Sequence, residues 1–145
     1  MFLGFYLSAV TRKNQITFPS RLKQQTGGKL LITKWFENSL VILPQETGKQ
    51  ILDKVLLDAS ALLPEQRDLE RFFYGNAYVT ELDMKNRFVL PMSLKNHAKI
   101  SKRAIYIGVS DRIELWDEEM YANYGSMKEL QIREAAIQHY NRIKK

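Results

Sequence analysis

Five consecutive residues, Asp83-Met84-Lys85-Asn86-Arg87, set an acid, an ammonium and a guanidinium around an asparagine. Asparagine tolerates positive φ better than most residues, so this one suits a tight reversal. On such a turn Arg87 is placed for a base-edge or phosphate contact and Lys85 for a phosphate contact. Asp83 would orient the arginine or shape the turn. A plain ion pair bracing a hairpin would use the same residues, and the motif by itself leaves both readings open. A related set, Thr11-Arg12-Lys13-Asn14-Gln15, lies 72 positions earlier. There Arg12, Lys13 and Gln15 are the candidate contacts and Asn14 is the candidate turn residue.

Residues for other chemistry are sparse. The two histidines, His97 and His139, stand far apart in different expected helices, and there is no cysteine. They form neither a metal-ligand set nor a nucleophile–base pair, and each is expected on a helix surface. Gly27-Gly28 lacks the spacing and the following Lys-Ser/Thr of a phosphate-cradling loop. Asp117-Glu118-Glu119 reads as a helix start favoured by the helix dipole. Trp35, Phe36 and Trp116 flank expected strands, which places them in the core or at a subunit contact rather than stacked on single-stranded bases. The expectation is a protein without catalytic residues, metal, cofactor or small-molecule substrate.

The chain has 145 residues and a net charge of +6, with 45% apolar and 26% charged residues, proportions that exclude a disordered or low-complexity class. The charge is segregated. Residues 12–34 hold six basic side chains and no acid, and residues 84–110 hold six more, again with no acid, leaving 10 basic against 16 acidic residues elsewhere. Segregation of this kind suits a polyanion-binding surface, although two solvated faces balanced by acids nearby in space would look the same. The uncharged start, Met1 to Thr11, is too short for a membrane helix, which needs about 20 apolar residues, and no basic segment precedes it. It is expected to be a buried strand in a soluble, cytoplasmic protein; the absence of cysteine is compatible with that compartment.

The two basic stretches belong to a repeat. A shift of 72 superposes Tyr6 on Tyr78, Lys13 on Lys85, Asn14 on Asn86, Pro19 on Pro91, Leu22 on Leu94 and Lys23 on Lys95. After one inserted residue, Leu40 to Leu43 falls on Ile113 to Trp116. Each unit reads as an extended segment (Phe5 to Val10; Tyr78 to Leu82), a polar turn, and a second strand (Gln15 to Phe18; Arg87 to Leu90). A proline ends the ladder. A short helix follows (Ser20 to Gln25; Met92 to Ala98), and then a hairpin (Lys29 to Lys34 with Leu40 to Leu43; Ala104 to Val109 with Ile113 to Trp116). Helical periodicity marks Glu46 to Ala59 and, after Pro64, Glu65 to Tyr74. A C-terminal helix from Glu118 is expected to break near Gly125, with Leu130, Ala135, Ile137 and Ile143 as its contacts.

One unit of this size cannot cover its own strand edges, whereas two units that interlock their hairpins would. The expected architecture is α+β: a pseudo-twofold β-barrel from two tandem repeats with flanking helices, in a single domain over residues 1–145. Its parts are a first repeat at 5–47, a helical connector at 48–75, a second repeat at 76–119 and a helical tail at 120–145.

Each unit resembles the repeated motif of the MraZ transcriptional regulators: Asp-x-Lys-Gly-Arg, an apolar run, then proline. The segment Gly108-Val109-Ser110-Asp111-Arg112-Ile113-Glu114-Leu115-Trp116-Asp117 is similar to that family's second-repeat signature. The opening Met1-Phe2-Leu3-Gly4 and the helix Arg67 to Asn76 agree as well. The resemblance implies a swapped-hairpin (double-split) β-barrel related to AbrB-type DNA-binding proteins. It also implies a ring-shaped homo-oligomer on double-stranded DNA. The targets would be tandem short repeats upstream of the division and cell-wall gene cluster, the protein's own promoter included, usually with repression as the outcome. Its location would be the cytoplasm, in association with the nucleoid. The second copy keeps Asp83, Lys85, Arg87 and Pro91, with Asn86 for the glycine. In the first copy Thr11 replaces the Asp, Asn14 the Gly and Gln15 the Arg, so the family's base-reading arginine is missing there. Glutamine can bond an adenine edge in two places, whereas arginine prefers guanine, and Arg12 is placed to supply charge from a shifted position. A DNA site that departs from the family's common box in one half is therefore expected. The rival class is an antitoxin-like or scaffolding module, gripping a protein through its acidic remainder and C-terminal helix, with only non-specific DNA affinity.

Overall fold

The computed structural model describes residues 1–57 and 60–144. The repeat emerges as one element order used twice. The first unit comprises β1 (Phe2–Ala9), β2 (Gln15–Thr17), α1 (Ser20–Thr26), β3 (Lys29–Lys34) and β4 (Leu40–Pro44). The connector is α2 (Gln45–Val55) and α3 (Pro64–Phe73). The second unit comprises β5 (Tyr78–Glu81), β6 (Arg87–Val89), α4 (Met92–Ala98), β7 (Arg103–Ser110) and β8 (Arg112–Asp117), and α5 (Glu118–Lys144) ends the chain.

The strands form a six-stranded antiparallel sheet, β1-β7-β8-β4-β3-β5, and a separate two-stranded ribbon, β2-β6. Exchanging the units maps this order onto itself. Each unit's hairpin takes its outer partner from the other unit: β1 lies on β7, β5 lies on β3, and the hairpins meet at β4 and β8. At one close approach, a Cβ on Gly108 would meet the Leu3 backbone nitrogen at 2.3 Å, so only glycine lets β1 and β7 pair there.

The pairing does not close into the expected barrel. β1 and β5 remain the edges of the larger sheet, and β2 and β6 pair with each other rather than bridging those edges. One isolated bridge, Val10 to Ile16, links the end of the first strand to the ribbon. The physical reason is length. Each ribbon strand has three residues, and Pro19 or Pro91, lacking an N–H, follows too soon for a longer ladder.

The main core lies between sheet and ribbon. It buries the equivalent pairs Ile16 and Phe88, Phe18 and Leu90, and Leu22 and Leu94 against the inner face of the hairpins. A second cluster, around Trp35, Val41, Leu43, Leu52 and Phe73, packs the connector helices on the opposite face of β3 and β4. With both faces covered, Leu40 to Leu43 is apolar throughout: alternate side chains enter alternate cores.

Several expectations are corrected. The C-terminal helix runs unbroken through Gly125, since a single glycine costs a helix only about 1 kcal/mol relative to alanine. Leu130, Ala135, Ile137 and Ile143, expected as its contacts, are exposed. α2 ends at Val55, and the last two positions of the expected helix, 58 and 59, lie outside the described residues. His97 is half-buried, its Nε2 3.1 Å from the Trp35 carbonyl oxygen, while His139 is exposed as expected. Trp35 and Trp116 are buried, whereas Phe36 is partly exposed. Asp117 does more than favour a dipole: its Oδ2 accepts the Met120 N–H and its Oδ1 the Ser101 N–H, capping α5.

Candidate nucleic-acid interface

Asn86 adopts φ 59°, the left-handed conformation its residue type suggested. The turn is closed by main-chain bonds from Asn86 N–H to Asp83 O and from Asp83 N–H to Arg87 O, both 3.0 Å. The Asp83 carboxylate is bonded through both of its oxygens. Its Oδ1 accepts the N–H groups of Lys85 (2.9 Å) and Arg87 (2.8 Å), which shapes the turn, and its Oδ2 accepts Arg87 Nε at 3.0 Å, which orients the guanidinium. The Arg87 N–H foremost, and then the guanidinium, hold the Asp83 carboxyl below its ordinary value. Only Nε is engaged by this pair, so the two terminal nitrogens of the fork stand apart from it. The Lys85 side chain is exposed.

The first turn is a chemically altered copy. Asn14 has φ 60°, and Asn14 N–H to Thr11 O and Thr11 N–H to Gln15 O repeat the closing bonds at 3.0 Å. Thr11 Oγ1 accepts the Gln15 N–H at 3.0 Å, in the place of the Asp83 carboxylate. A hydroxyl can fold this turn but has no charge to hold a guanidinium, and the residue that follows is a neutral glutamine. Arg12 and Lys13 are exposed.

The ribbon brings the two turns together. β2 and β6 pair Gln15 with Val89, Ile16 with Phe88 and Thr17 with Arg87. Ile16 and Phe88 are buried, so strand alternation puts Gln15, Thr17, Arg87 and Val89 on the outward face. Gln15 and Arg87 stand two residue steps apart along the ribbon, about 7 Å at the usual rise. A turn bearing lysine adjoins each of them. Tyrosines anchor the ribbon from beneath: Tyr78 donates its hydroxyl to Val89 O at 2.6 Å and Tyr106 donates to Thr17 O at 2.8 Å. Burial pushes the Tyr78 hydroxyl up to about 12 and raises that of Tyr106.

Two lysines of the acid-free stretches reach across to the turns of the opposite unit. Lys23 Nζ donates to Asn86 Oδ1 at 2.6 Å, and Lys95 Nζ to Asn14 Oδ1 at 2.7 Å, each across to the other unit. Their signal was present, because Lys23 and Lys95 are one of the repeat's identities. Of the tyrosine anchors, Tyr78 is a repeat identity with Tyr6, whereas Tyr106 has no tyrosine counterpart in the first unit. Among the other basic residues, Lys29, Lys99 and Lys102 are exposed, and Arg103 pairs with Glu118 at 2.9 Å. Among the described residues no three His, Cys, Asp or Glu side chains gather as a metal site, and no helix is long and apolar enough to cross a membrane.

Comparison with known proteins gives a consistent picture. A family model described as "MraZ protein, putative antitoxin-like" matches residues 73–142, which include the unit with the intact Asp83–Arg87 turn. The transcriptional regulator MraZ of Desulfitobacterium hafniense (strain DSM 10664 / DCB-2) is 33% identical over 129 residues, covering 89% of this chain and 90% of that protein. Those of Syntrophomonas wolfei subsp. wolfei and Thermoanaerobacter sp. (strain X514) are each 32% identical over 136 residues, covering 94% of both chains.

Proposed function

The chain belongs to the MraZ family, and we propose that it is a sequence-specific DNA-binding transcriptional regulator that works by binding rather than by catalysis. The observation that carries this reading is the outward face of the β2-β6 ribbon. It presents Arg87 and Gln15 for base edges, with Lys85, Lys13 and Arg12 beside them for phosphates. A two-stranded ribbon fits the major groove, where each base pair shows a distinct pattern of donors and acceptors.

One such ribbon contacts few base pairs, too few for strong discrimination. A ring-shaped homo-oligomer on evenly spaced short repeats would multiply modest contacts through effective concentration. Support for self-association comes from β1, an edge strand whose outward side chains Leu3 (59% exposed), Phe5 (61%) and Leu7 (50%) make an apolar stripe. In this reading residues 1–145 act as one domain. Its repeats, 5–47 and 76–119, are joined by the connector 48–75 and followed by the tail 120–145. The pairing of each unit's first strand with the other unit's hairpin supports a swapped-hairpin relationship to AbrB-like folds. The target would be the promoter of the division and cell-wall gene cluster, its own gene included, with repression as the outcome, in the cytoplasm at the nucleoid.

The test is a gel shift on the gene's own upstream region at two salt concentrations, with a scrambled competitor. Selective retention that weakens as salt rises is expected. Equal competition by the scrambled duplex would favour the antitoxin-like or scaffolding alternative.

A further inference from the structure

Lys23 and Lys95 lie inside the two acid-free segments, so no neighbouring carboxylate in sequence takes their charge. Each crosses the pseudo-twofold instead. Lys23, on α1 of the first unit, reaches Asn86 of the second, and Lys95, on α4 of the second, reaches Asn14 of the first. At 2.6 and 2.7 Å these are charge-assisted bonds, stronger than those between neutral groups. Lysines and asparagines alike are half-buried. The two acceptors are the residues held at φ near +60°, and each directly precedes the outward residue of its turn, Arg87 or Gln15. The main chains of the same asparagines are also gripped from the opposite unit. Phe18 N–H donates to Asn86 O at 2.7 Å and Leu90 N–H to Asn14 O at 2.8 Å. Every tie on these two side-chain carbonyls comes from the other half of the molecule.

We propose that Lys23 and Lys95 are positioning residues that act crosswise: Lys23 of the first unit sets the Arg87 turn of the second, and Lys95 of the second sets the Gln15 turn of the first. This rests on the reading of those turns as base-reading elements. The acceptor is a neutral amide, so the bond brings no carboxylate to the turn, and it directs one donor of each ammonium to the opposing asparagine. Lys85 and Lys13, exposed on the turns, are laid out for phosphates; Lys23 and Lys95 are not. Asparagine occupies the place of the motif's glycine in both units, and it supplies the side-chain oxygen that glycine lacks.

Binding-site selection on randomised duplexes, using the full chain, would compare wild type with Arg87→Ala, Gln15→Ala, Lys23→Met and Lys95→Met. Lys23→Met is expected to reduce the base preferences that Arg87→Ala removes by about tenfold, and to keep those that Gln15→Ala removes. Lys95→Met is expected to do the reverse. Amide hydrogen exchange in the free protein gives a second readout: Lys23→Met should speed exchange at Asn86 and Arg87 and leave Asn14 and Gln15 unchanged. Asn86→Gly removes the acceptor while keeping the left-handed φ accessible, and should reproduce Lys23→Met even where the lysine variant folds poorly.

Uniform weakening on all duplexes, with a salt slope smaller by about one, would make Lys23 a phosphate contact and overturn the proposal. Loss of preference in the half read by the lysine's own unit would overturn it too, as would unchanged exchange at the opposing turn. Should Arg87→Ala leave the selected sites unaltered, the base-reading assignment fails instead, and the exchange readout still decides whether these lysines position the opposing turns.

Discussion

Asp83 and Thr11 occupy the same place in two copies of one turn, and the difference between them sets what each turn can present. A carboxylate accepts two main-chain N–H groups and still has an oxygen for a guanidinium. A hydroxyl accepts one N–H and leaves a neutral glutamine to follow. Arg87 is therefore held on a fixed donor fork, and Arg87→Ala should cost about 1–3 kcal/mol of specific binding while relaxing preference at the bases it reads. Lys85→Ala should weaken binding to all duplexes alike and reduce the salt slope by about one. Titrations of both variants on specific and scrambled duplexes at several salt concentrations separate these effects; wild-type behaviour in both would mean that the turn does not touch DNA. At this scale much was legible in the sequence, because positive φ at Asn14 and Asn86 and the Asp83–Arg87 pair are local consequences of residue type and spacing. Lys23 and Lys95 stood out as a repeat identity, but their partners did not, because these lie 63 and 81 residues away.

The ribbon, as an element, depends on what lies under it. Two strands of three residues are marginal alone, and the tyrosine hydroxyls of Tyr78 and Tyr106 tie its outer carbonyls to the large sheet. The neutral phenol is favoured in the folded state, and this sets a sign. The stabilisation is fully present below the unfolded tyrosine value near 10, and it is lost as pH rises toward the folded value of about 12 for Tyr78. Base unfolding followed by circular dichroism should therefore begin above pH 10 and start less steeply in Tyr78→Phe; an identical profile in that variant would argue against the anchor. The order of elements followed from the duplication at a shift of 72, with boundaries within a few residues. The open sheet did not, because closure turns on ladder length between strands distant in sequence. Helix α5 likewise outran its expected break, as a lone glycine with nothing packed on it weakens a helix without ending it.

For the whole molecule, the net charge of +6 averages over two basic segments, whose turns the fold gathers at one ribbon, and an acidic remainder. The apolar stripe of β1 marks another surface, and under the proposed ring assembly Phe5→Glu should weaken self-association while sparing the turns. Sedimentation would show the smaller species, and a single short duplex should still bind with low affinity; unchanged assembly would place the contact elsewhere. The exchange of strands between units also governs how the chain comes into being. Phe2 pairs with Ser110 and Ala9 with Arg103, so the first strand has no ladder partner until residues 103–110 have been made. At about 5–20 residues per second, that leaves an apolar strand waiting roughly 5–20 seconds beyond the ribosome. Neither half can complete its sheet alone, and pairing of the first strand waits for the second hairpin that receives it.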